Sequence, residues 1–409
     1  MIQVAEAQER ILAEMPVMPT EQVGLADALG RVLSTPVTAR TTQPPVALSA
    51  MDGYAVRAAD VAQTPVVLNI VDHIPAGKMS DRHISKGEAA RIFTGAPLPD
   101  GADAIVIQEN TDYDPGKSDT DTVTVRQGAA AGRYVRQAGL DFSAGEELLG
   151  AGERLGPRAI GLAAAMNVPW LMVHRKPRIA ILATGDEIVL PGETVGATRI
   201  VSSNNFALAG LIRNAGGVPV DLGIARDDAT DLEARASAAV GCDMLVTSGG
   251  ASVGEHDLVQ QVLGRLGLTV DFWKIAMRPG KPLMFGRFDM RGATMEMIGL
   301  PGNPVSSLVC GLLFVGPAVA KMTGRTDTAP KTARAVLGSD VPANDHRQTY
   351  LRATLVSDGD GPAKATPFPV QDSSMLRTLH EAQCLIVRAP EAPPASVGSD
   401  IEILTLDEL

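Results

Sequence analysis

The stretch that decides the fold of this chain is Thr247-Ser248-Gly249-Gly250-Ala251-Ser252-Val253-Gly254-Glu255-His256-Asp257. It follows an apolar strand candidate, Asp243-Met244-Leu245-Val246, and precedes a helix candidate that begins near residue 257. A strand that ends in glycine and hydroxyl residues and then opens a helix can direct several backbone N–H groups at one anion, such as a phosphate. The alternative is an ordinary turn in which the glycines only provide positive φ angles. We call this stretch, residues 247–257, the nest.

Strand and helix candidates alternate on both sides of the nest. The strand candidates span 178–183, 218–222, 243–247, 270–275 and 296–300, and the helix candidates span 204–215, 228–240, 257–266 and 304–322. This order predicts a doubly wound, mostly parallel sheet with helices on both faces. Ligands of such sheets bind beyond the carboxyl ends of the strands, so we expect the binding site at that edge.

The rest of the chain predicts a multidomain protein, because 409 residues exceed what one hydrophobic core usually holds. The predicted domains are a discontinuous helical and extended linking domain (1–45 and 141–176), a β-rich inserted domain (46–140), the α/β domain (177–326) and a small C-terminal β-barrel (327–409). In the linking domain, 3–15 and 25–33 have the apolar spacing of helices. Further strand candidates lie at 66–71, 104–107, 122–125, 350–355 and 384–387.

Three strands of the α/β domain end in polar turns that contain glycine. These turns span 183–187, the nest, and 299–304. Because the carboxyl ends of parallel strands meet at one edge of a sheet, the three turns are expected to face one crevice. Their convergence favours a binding site over turn chemistry alone.

This crevice is expected to carry charges of both signs. Asp186, Glu187 and Asp257 are its acidic residues. Carboxylates beside a phosphate nest are typical ligands of Mg²⁺, although Asp and Glu are also common at the N-termini of helices.

A basic segment, residues 273–282, supplies Lys274, Arg278 and Lys281, and its two prolines and one glycine restrict its path. Next to a phosphate nest in an acidic protein, such a segment predicts an oxyanion site. The alternative is a solvated basic loop.

Composition excludes several classes of function. The net charge of −11 argues against nucleic acid or an anionic membrane as the main partner, and an aromatic content of 3% argues against a base-stacking platform. We expect the longest apolar run, 308–320, to be too short and too interrupted by glycine and proline to span a membrane. The N-terminus lacks the pattern of a signal peptide.

The cysteines and histidines indicate neither disulfides nor a zinc site. Cys242, Cys310 and Cys384 lie in apolar contexts, which predicts reduced thiols in a cytoplasmic protein. No histidine pair has zinc-ligand spacing.

Six motifs carry a resemblance to a known family. They are Ser49-Ala50-Met51-Asp52-Gly53-Tyr54-Ala55, Phe93-Thr94-Gly95-Ala96, Ala183-Thr184-Gly185-Asp186-Glu187, Ser248-Gly249-Gly250-Ala251-Ser252-Val253-Gly254, Arg278-Pro279-Gly280-Lys281-Pro282 and Leu300-Pro301-Gly302-Asn303-Pro304. In this order, and over essentially the whole chain, they resemble the molybdopterin molybdenumtransferase family, which includes the C-terminal domain of gephyrin. The resemblance implies an enzyme that inserts molybdate into adenylylated molybdopterin and releases AMP in a Mg²⁺-dependent reaction. It also implies an elongated homodimer with a shared active cleft, and it leaves room for contacts with other proteins of molybdenum-cofactor biosynthesis.

The same resemblance implies roles for individual residues. Asp52 and Thr94 would extend from the β-rich insert into the cleft of the partner subunit. The residues implied to bind the pterin substrate around its phosphate are Thr184, Gly185, Ser248, Gly249, Gly250, Ser252, Gly254, Pro301 and Asn303. The residues implied to hold Mg²⁺ are Asp186, Glu187 and Asp257, of which Glu187 and Asp257 would also position water for phosphoanhydride cleavage. The residues implied at the molybdate and phosphate oxygens are Lys274, Arg278 and Lys281, with Arg352 and Ser373 near the anion pocket.

One residue departs from the family pattern, since position 278 is often Lys in the family and is Arg here. The positive charge is kept, but a planar fork replaces a point charge. Three alternatives stay open: an enzyme that adenylylates molybdopterin, a tungsten-specific relative, and a non-enzymatic scaffold. The motif at 49–55 and the flanking domains argue against the first alternative, and the charged crevice residues argue against the last.

Overall fold

The computed structural model describes residues 1–114, 121–250, 258–290, 293–357, 359 and 361–406. Four regions are present: a linking region, a β-rich insertion within it, an α/β domain, and a C-terminal barrel. The predicted fold class is therefore confirmed, whereas the residue numbers at which we divide the chain stay predictions.

The linking region and the insertion occupy the first part of the chain. In chain order their elements are α1 (Val4–Glu14), β1 (Thr20–Gly24), β2 (Val37–Thr38), β3 (Leu48–Ser49), β4 (Gly53–Val56), β5 (Val66–Ile74), β6 (Glu88–Ile92), β7 (Ala104–Ile107), β8 (Thr122–Val125), β9 (Val135–Arg136), β10 (Glu147–Leu149), α2 (Pro157–Ala165) and β11 (Trp170–His174). In the linking region, β1 pairs with β11 and β2 with β10, both antiparallel. The insertion holds a five-stranded sheet in the order β7-β4-β6-β5-β8, and its predicted strands are present as β5, β7 and β8.

The helix predicted at 25–33 is wrong. The chain forms only a 3₁₀ turn over Leu25–Asp27, and Gly30 follows in the left-handed region with a φ of 74°. Leu33 is buried, and its N–H donates to the carbonyl of Glu153 at 3.0 Å. Pairing with a distant segment therefore overrides a local helical pattern.

The α/β domain contains the sheet that we predicted, with one additional strand. Its elements are β12 (Arg178–Thr184), β13 (Ile188–Val189), β14 (Ile200–Val201), α3 (Asn204–Asn214), β15 (Val218–Ala225), α4 (Ala229–Ser237), β16 (Met244–Ser248), α5 (Leu258–Arg265), β17 (Leu268–Trp273), β18 (Met277–Arg278), β19 (Met284–Met290), β20 (Ala293–Leu300), α6 (Pro304–Cys310) and α7 (Gly316–Met322). The six-stranded sheet has the order β15-β12-β16-β20-β19-β17. Only β19 runs against its neighbours, which confirms a mostly parallel sheet. The sequence pattern misses β19 because Gly286, Arg287 and Asp289 interrupt its apolar run.

Hydrophobic cores cover both faces of this sheet. Along β12, Ile179 and Ile181 enter one core, whereas Ala180 and Leu182 enter the other, as alternation along a strand requires. The first core also receives Ile11 of α1, so the N-terminal helix packs on the α/β domain.

The helix predicted at 304–322 is confirmed, and glycine and proline do not shorten its apolar run in the way that we expected. A π-helical turn, Gly311–Val315, joins α6 to α7, and Pro304–Met322 is the one span among the described residues that is long and apolar enough to cross a membrane. It is a core helix, because 83% of its most apolar window is buried inside the protein. Pro317 lacks an N–H, and the carbonyl of Leu313 accepts instead from Nε2 of Gln8 at 3.1 Å. Tertiary contacts thus satisfy the backbone group that the proline leaves unpaired.

The C-terminal region forms the predicted barrel. Its elements are β21 (Thr332–Leu337), β22 (Gln348–Val356), β23 (Lys364–Pro367), α8 (Leu376–Glu381), β24 (Cys384–Arg388) and β25 (Asp400–Thr405). The strands follow the order β22-β23-β21-β25-β24, and β24 pairs again with β22, which closes the barrel. The short strand β18 also pairs with β22, so the barrel holds the basic segment of the α/β domain.

The cysteines are free thiols, as their scattered positions predict. Cys310 and Cys384 are buried, and Cys242 is half-buried. Burial raises the pKa of the Cys384 thiol to about 11, so this thiol stays protonated at neutral pH.

Candidate active site

A cleft with several polar lining residues lies at the carboxyl ends of β12, β16 and β20, and its volume is about 1010 Å³. The predicted site residues that line it are Thr184, Gly185, Glu187, Ser248, Gly249, Gly250, Pro301 and Asn303. The structure therefore brings the three strand-end turns to one cleft. Three further predicted residues, Ser252, Gly254 and Asp257, lie outside the described residues.

The two described glycines of the nest are required by their surroundings. Gly249 and Gly250 have φ angles of 95° and 65°, a region that side-chain-bearing residues rarely adopt. A Cβ at Gly249 would lie 2.7 Å from the carbonyl oxygen of Thr184. A Cβ at Gly250 would overlap Cγ2 of Val259 and lie 3.0 Å from Oγ1 of Thr184. Both the positive φ angles and the close approach of Thr184, at the end of β12, therefore require glycine at positions 249 and 250.

Asn204, which sequence reasoning missed, joins two of the three turns. It stands at the start of α3, and its Nδ2 donates to Oγ of Ser248 and to the carbonyl of Gly302, both at 2.8 Å. Gly302 in turn would place a Cβ 3.6 Å from Cα of Gly249. The polar run Ser202-Ser203-Asn204-Asn205 at a helix start was the available signal, but its direction toward the cleft is not visible in sequence.

The carboxylates do not all face the cleft. Glu187 is exposed and lines the cleft, with its carboxylate beside Gly185, where a Cβ would lie 2.6 Å from Oε2. Asp186 is not among the lining residues, and its Oδ1 accepts from the N–H of Asp227 at 3.2 Å. Asp227, which we did not predict, does line the cleft.

The two carboxylates that line the cleft would hold a hard cation only together with substrate oxygens and water. Among the described residues, no group of three or more His, Cys, Asp and Glu side chains could enclose a metal by itself. Mg²⁺ is usually held by one or two carboxylates together with phosphate oxygens and water, and Glu187 and Asp227 can supply such carboxylates.

The basic segment borders the cleft through a proline. Pro282 is a lining residue, and Lys281, which precedes it, is exposed. Lys274 adopts a φ of 77°, and its ammonium lies 4.4 Å from the ring centroid of Trp273. Arg278 turns away to Asp345 of the barrel region, with Nη2 and Oδ2 separated by 3.0 Å. Of the three predicted cations, Lys281 is therefore next to a lining residue, whereas Arg278 is paired elsewhere.

Ser373 does not line the cleft but is bonded to the third strand-end turn from the barrel side. Its Oγ accepts from Nδ2 of Asn303 at 2.8 Å, and its carbonyl accepts from the N–H of Val305 at 3.0 Å. The neighbouring Ser374 lines the cleft. The barrel loop that carries these serines is thus fastened to the third strand-end turn.

Arg352 supports that loop from beneath. It is 2% exposed, and desolvation lowers the pKa of its guanidinium. Its Nε donates to Oε1 of Gln371 at 3.2 Å, and its Nη1 donates to the carbonyl of Met375 at 3.1 Å. Arg352 therefore bonds to residues on both sides of Ser373 in this loop, but it does not itself line the cleft.

Asp52 and Thr94 form a pair in the β-rich insertion. Oδ1 of Asp52 accepts from the N–H and from Oγ1 of Thr94, both at 2.7 Å. These hydrogen bonds lower the pKa of the Asp52 carboxyl below its ordinary value. Both residues are exposed, and neither lines the cleft of its own chain.

Three family descriptions match consecutive parts of the chain. Residues 2–167 match the MoeA N-terminal region (domain I and II), residues 180–321 match a probable molybdopterin binding domain, and residues 334–406 match the MoeA C-terminal region (domain IV).

Individual relatives agree with these matches. A molybdopterin molybdenumtransferase of Nostoc sp. is 38% identical over 82% of this chain and 77% of its own length. Molybdopterin molybdenumtransferase 2 of Mycobacterium tuberculosis is 36% identical over 98% of this chain and 99% of its own. A solved structure of a molybdopterin biosynthesis MoeA protein from Pyrococcus horikosii has a TM-score of 0.83 at 30% identity, and the match covers 99% of this chain and 98% of that one. The chain therefore belongs to the molybdopterin molybdenumtransferase family, a family of transferases.

Proposed function

We propose that this protein inserts molybdate into adenylylated molybdopterin and releases AMP, in a reaction that depends on Mg²⁺. The observation that carries the proposal is the meeting of three strand-end turns in one cleft, two of them joined by Asn204, in a chain of this family. The atoms balance, because the two thiols of the pterin displace one oxo group of molybdate as water, and cleavage of the phosphoanhydride consumes one water.

The nest binds the phosphate of the pterin in this proposal. Gly249 and Gly250 have positive φ angles, and the N–H of Gly249 donates to the carbonyl of Leu300 at 3.2 Å, which joins the nest to the third strand-end turn. The N–H groups that follow Gly249 are assigned to the phosphate on the family resemblance. The hydroxyl of Ser248 is held by Asn204 at the same edge. A neutral nest of this kind binds a phosphate in a protein whose net charge is −11.

Glu187 acts at the phosphoanhydride. Its exposed carboxylate at the cleft wall can accept the proton of the attacking water at Oε, and with Asp227 it can hold Mg²⁺. When bound, Mg²⁺ neutralises the charge that develops on the leaving phosphate. Asp257 is assigned to the same task on the family resemblance.

Lys281 and Lys274 attract the molybdate oxyanion. The path of the basic segment near them is held by backbone hydrogen bonds, from Lys274 to Leu283 at 3.0 Å and from Ile275 to Lys281 at 2.9 Å. Arg352 contributes by holding the loop of Ser373 against Asn303. Arg278 secures the barrel through Asp345 in this assignment.

The complete site requires a second subunit. Asp52 and Thr94 are exposed on the insertion and absent from the cleft of their own chain, so they act in the cleft of a homodimer partner. A cytoplasmic location, and contacts with other proteins that make or receive the cofactor, belong to the same proposal.

The direct test combines the purified protein with adenylylated molybdopterin, molybdate and Mg²⁺. We expect AMP release and molybdenum incorporation in equal amounts, and their loss in Glu187→Gln. Glu193→Gln is the matched control, because Glu193 is exposed on the same connection, bonds to the N–H of Leu190, and does not line the cleft. If the wild-type protein shows no AMP release and no molybdenum incorporation, the proposal is contradicted and a scaffold is supported.

Two further arms of the same assay separate the enzymatic alternatives. Formation of adenylylated molybdopterin from ATP and molybdopterin would indicate the adenylylating enzyme. Preferential incorporation of tungstate in a competition with molybdate would indicate a tungsten-specific relative.

A further inference from the structure

We propose that Arg91 is a positioning residue, which holds the Asp52–Thr94 pair in the orientation that the shared cleft needs. The proposal rests on the proposed function, because Asp52 and Thr94 are site residues only there. Arg91 carries none of the chemistry itself, since it lies beneath the pair and is 5% exposed.

The hydrogen bonds of Arg91 fasten the segment that carries Asp52. Its Nη1 donates to the carbonyl of Gly53 at 3.0 Å, and its Nη2 donates to Oε1 of Gln108 at 2.7 Å. The backbone N–H of Gln108 donates to the carbonyl of Asp52 at 3.2 Å. Gln108 therefore binds the carbonyl of Asp52, and Arg91 binds both the carbonyl of Gly53 and the side chain of Gln108.

Aromatic rings fasten the segment that carries Thr94 to the same guanidinium. The guanidinium carbon lies 4.9 Å from the ring centroid of Phe93, which directly precedes Thr94. It also lies 5.1 Å from the ring of Tyr54 and 4.6 Å from the ring of Tyr113. Cations are attracted to the faces of aromatic rings, and the attraction is stronger away from water. One buried cation thus joins the two segments that meet in the Asp52–Thr94 hydrogen bonds.

The backbone leaves little room for an alternative arrangement. Gly53 lies opposite Ile92 in β6 and Ile107 in β7, and a Cβ at Gly53 would overlap the carbonyl oxygen of Val106. The peptide after Asp52 is therefore confined on the β7 side, and Arg91 of β6 holds the carbonyl of Gly53 from the neighbouring strand. Small displacements at such a site are costly, since catalysis requires reacting groups to be placed within fractions of an ångström.

The charge of Arg91 also favours the ionised form of Asp52. Hydrogen bonds from Thr94 lower the pKa of Asp52, and Arg91 lowers it further. The pair is thus preset as an anionic acceptor.

The test measures single-turnover AMP release by dimers of full-length variants. We expect Arg91→Met to lose about 100-fold in rate. The decisive variant is Arg91→Met combined with Asp52→Ala, which is expected to be no slower than Asp52→Ala alone, because Arg91 acts through Asp52. If Arg91 had only a structural role, the double variant would be slower than Asp52→Ala by a further factor, and that result would overturn the proposal.

Two more variants keep the test informative if Arg91→Met does not fold. Gln108→Met keeps the buried charge and removes one acceptor of Arg91, so we expect about a tenfold loss that again disappears in the Asp52→Ala background. Arg133→Met is the matched control, because the exposed Arg133 lies 4.3 Å from the ring of Tyr134 in the same insertion, and we expect a rate within about twofold of the wild type. Wild-type activity in Gln108→Met would refute the proposal by itself.

The outcomes separate this proposal from the one on which it rests. Full activity of Asp52→Ala would remove Asp52 from the site and overturn both. A strongly slowed Asp52→Ala beside a fully active Arg91→Met would overturn only the positioning role.

Discussion

The nest offers the sharpest prediction, through the substitution Gly250→Ala. At φ of 65°, a non-glycine residue costs about 1–2 kcal/mol. The added Cβ would also overlap Cγ2 of Val259 and lie 3.0 Å from Oγ1 of Thr184, which adds about 1–3 kcal/mol of overpacking. Together these effects predict a loss of about 2–5 kcal/mol in the free energy of unfolding of the α/β domain. A loss of that size lowers its melting temperature by at least about 5 °C.

The same substitution is expected to weaken substrate binding, because the clash is relieved most easily by moving the nest away from Thr184. The assay is calorimetric unfolding together with titration of adenylylated molybdopterin, and we expect the affinity to fall at least about tenfold. Gly264→Ala is the matched control, since Gly264 lies in α5 without a positive φ, and a Cβ added there would meet no atom within 4 Å. There, alanine is expected to stabilise by up to about 1 kcal/mol. Equal melting temperatures and equal affinities of the two variants would refute the reasoning.

Three other predictions follow from the site. Asp52→Ala and Glu187→Ala are each expected to stay folded and to lose nearly all turnover, with only a slow residual single-turnover rate, and mixed dimers are expected to regain activity. The absence of recovery after confirmed subunit exchange would contradict a shared cleft. Because the pKa of Asp52 is lowered, its hydrogen bonds to Thr94 stabilise the fold above the ordinary carboxyl pKa and are lost as the pH falls through the lowered one. The stability difference between wild type and Thr94→Val should therefore be present at pH 7 and vanish in strong acid, as measured by urea unfolding. Arg352→Met is expected to cost about 1.5–3 kcal/mol and to speed hydrogen exchange in the loop of Ser373, and unchanged exchange there would argue against its supporting role.

Much of the α/β domain could be predicted because its signals are local. The apolar runs of β12, β16 and β20 are buried on both faces, and each ends in a glycine-bearing turn. A parallel sheet brings such ends to one edge whatever the rest of the chain does. The same local reasoning fails at 25–33 and at β19, where pairing with a distant segment decides the conformation.

The candidate site was only partly predictable, because several of its contacts join distant residues. Asn204 reaches Gly302, 98 residues away, and nothing in its own segment specifies that direction. Asp186, which we predicted, does not line the cleft, whereas Asp227, which we did not predict and which lies 41 residues further along the chain, does. Arg278 turns to the barrel, which its neighbours in sequence do not indicate.

The sequence by itself determined the fold class, the mostly parallel sheet, the glycine-bearing turns at its strand ends and the family. These depend on periodicity, on turn residues and on motifs that are read along the chain. Only the tertiary structure decided that Arg91 joins two aromatic-flanked segments beneath Asp52, and that Arg352 lies under a loop and not in the cleft. The physical reason is that a side chain's direction, burial and partners are set by packing between segments far apart in the chain, and local propensity carries no record of that packing.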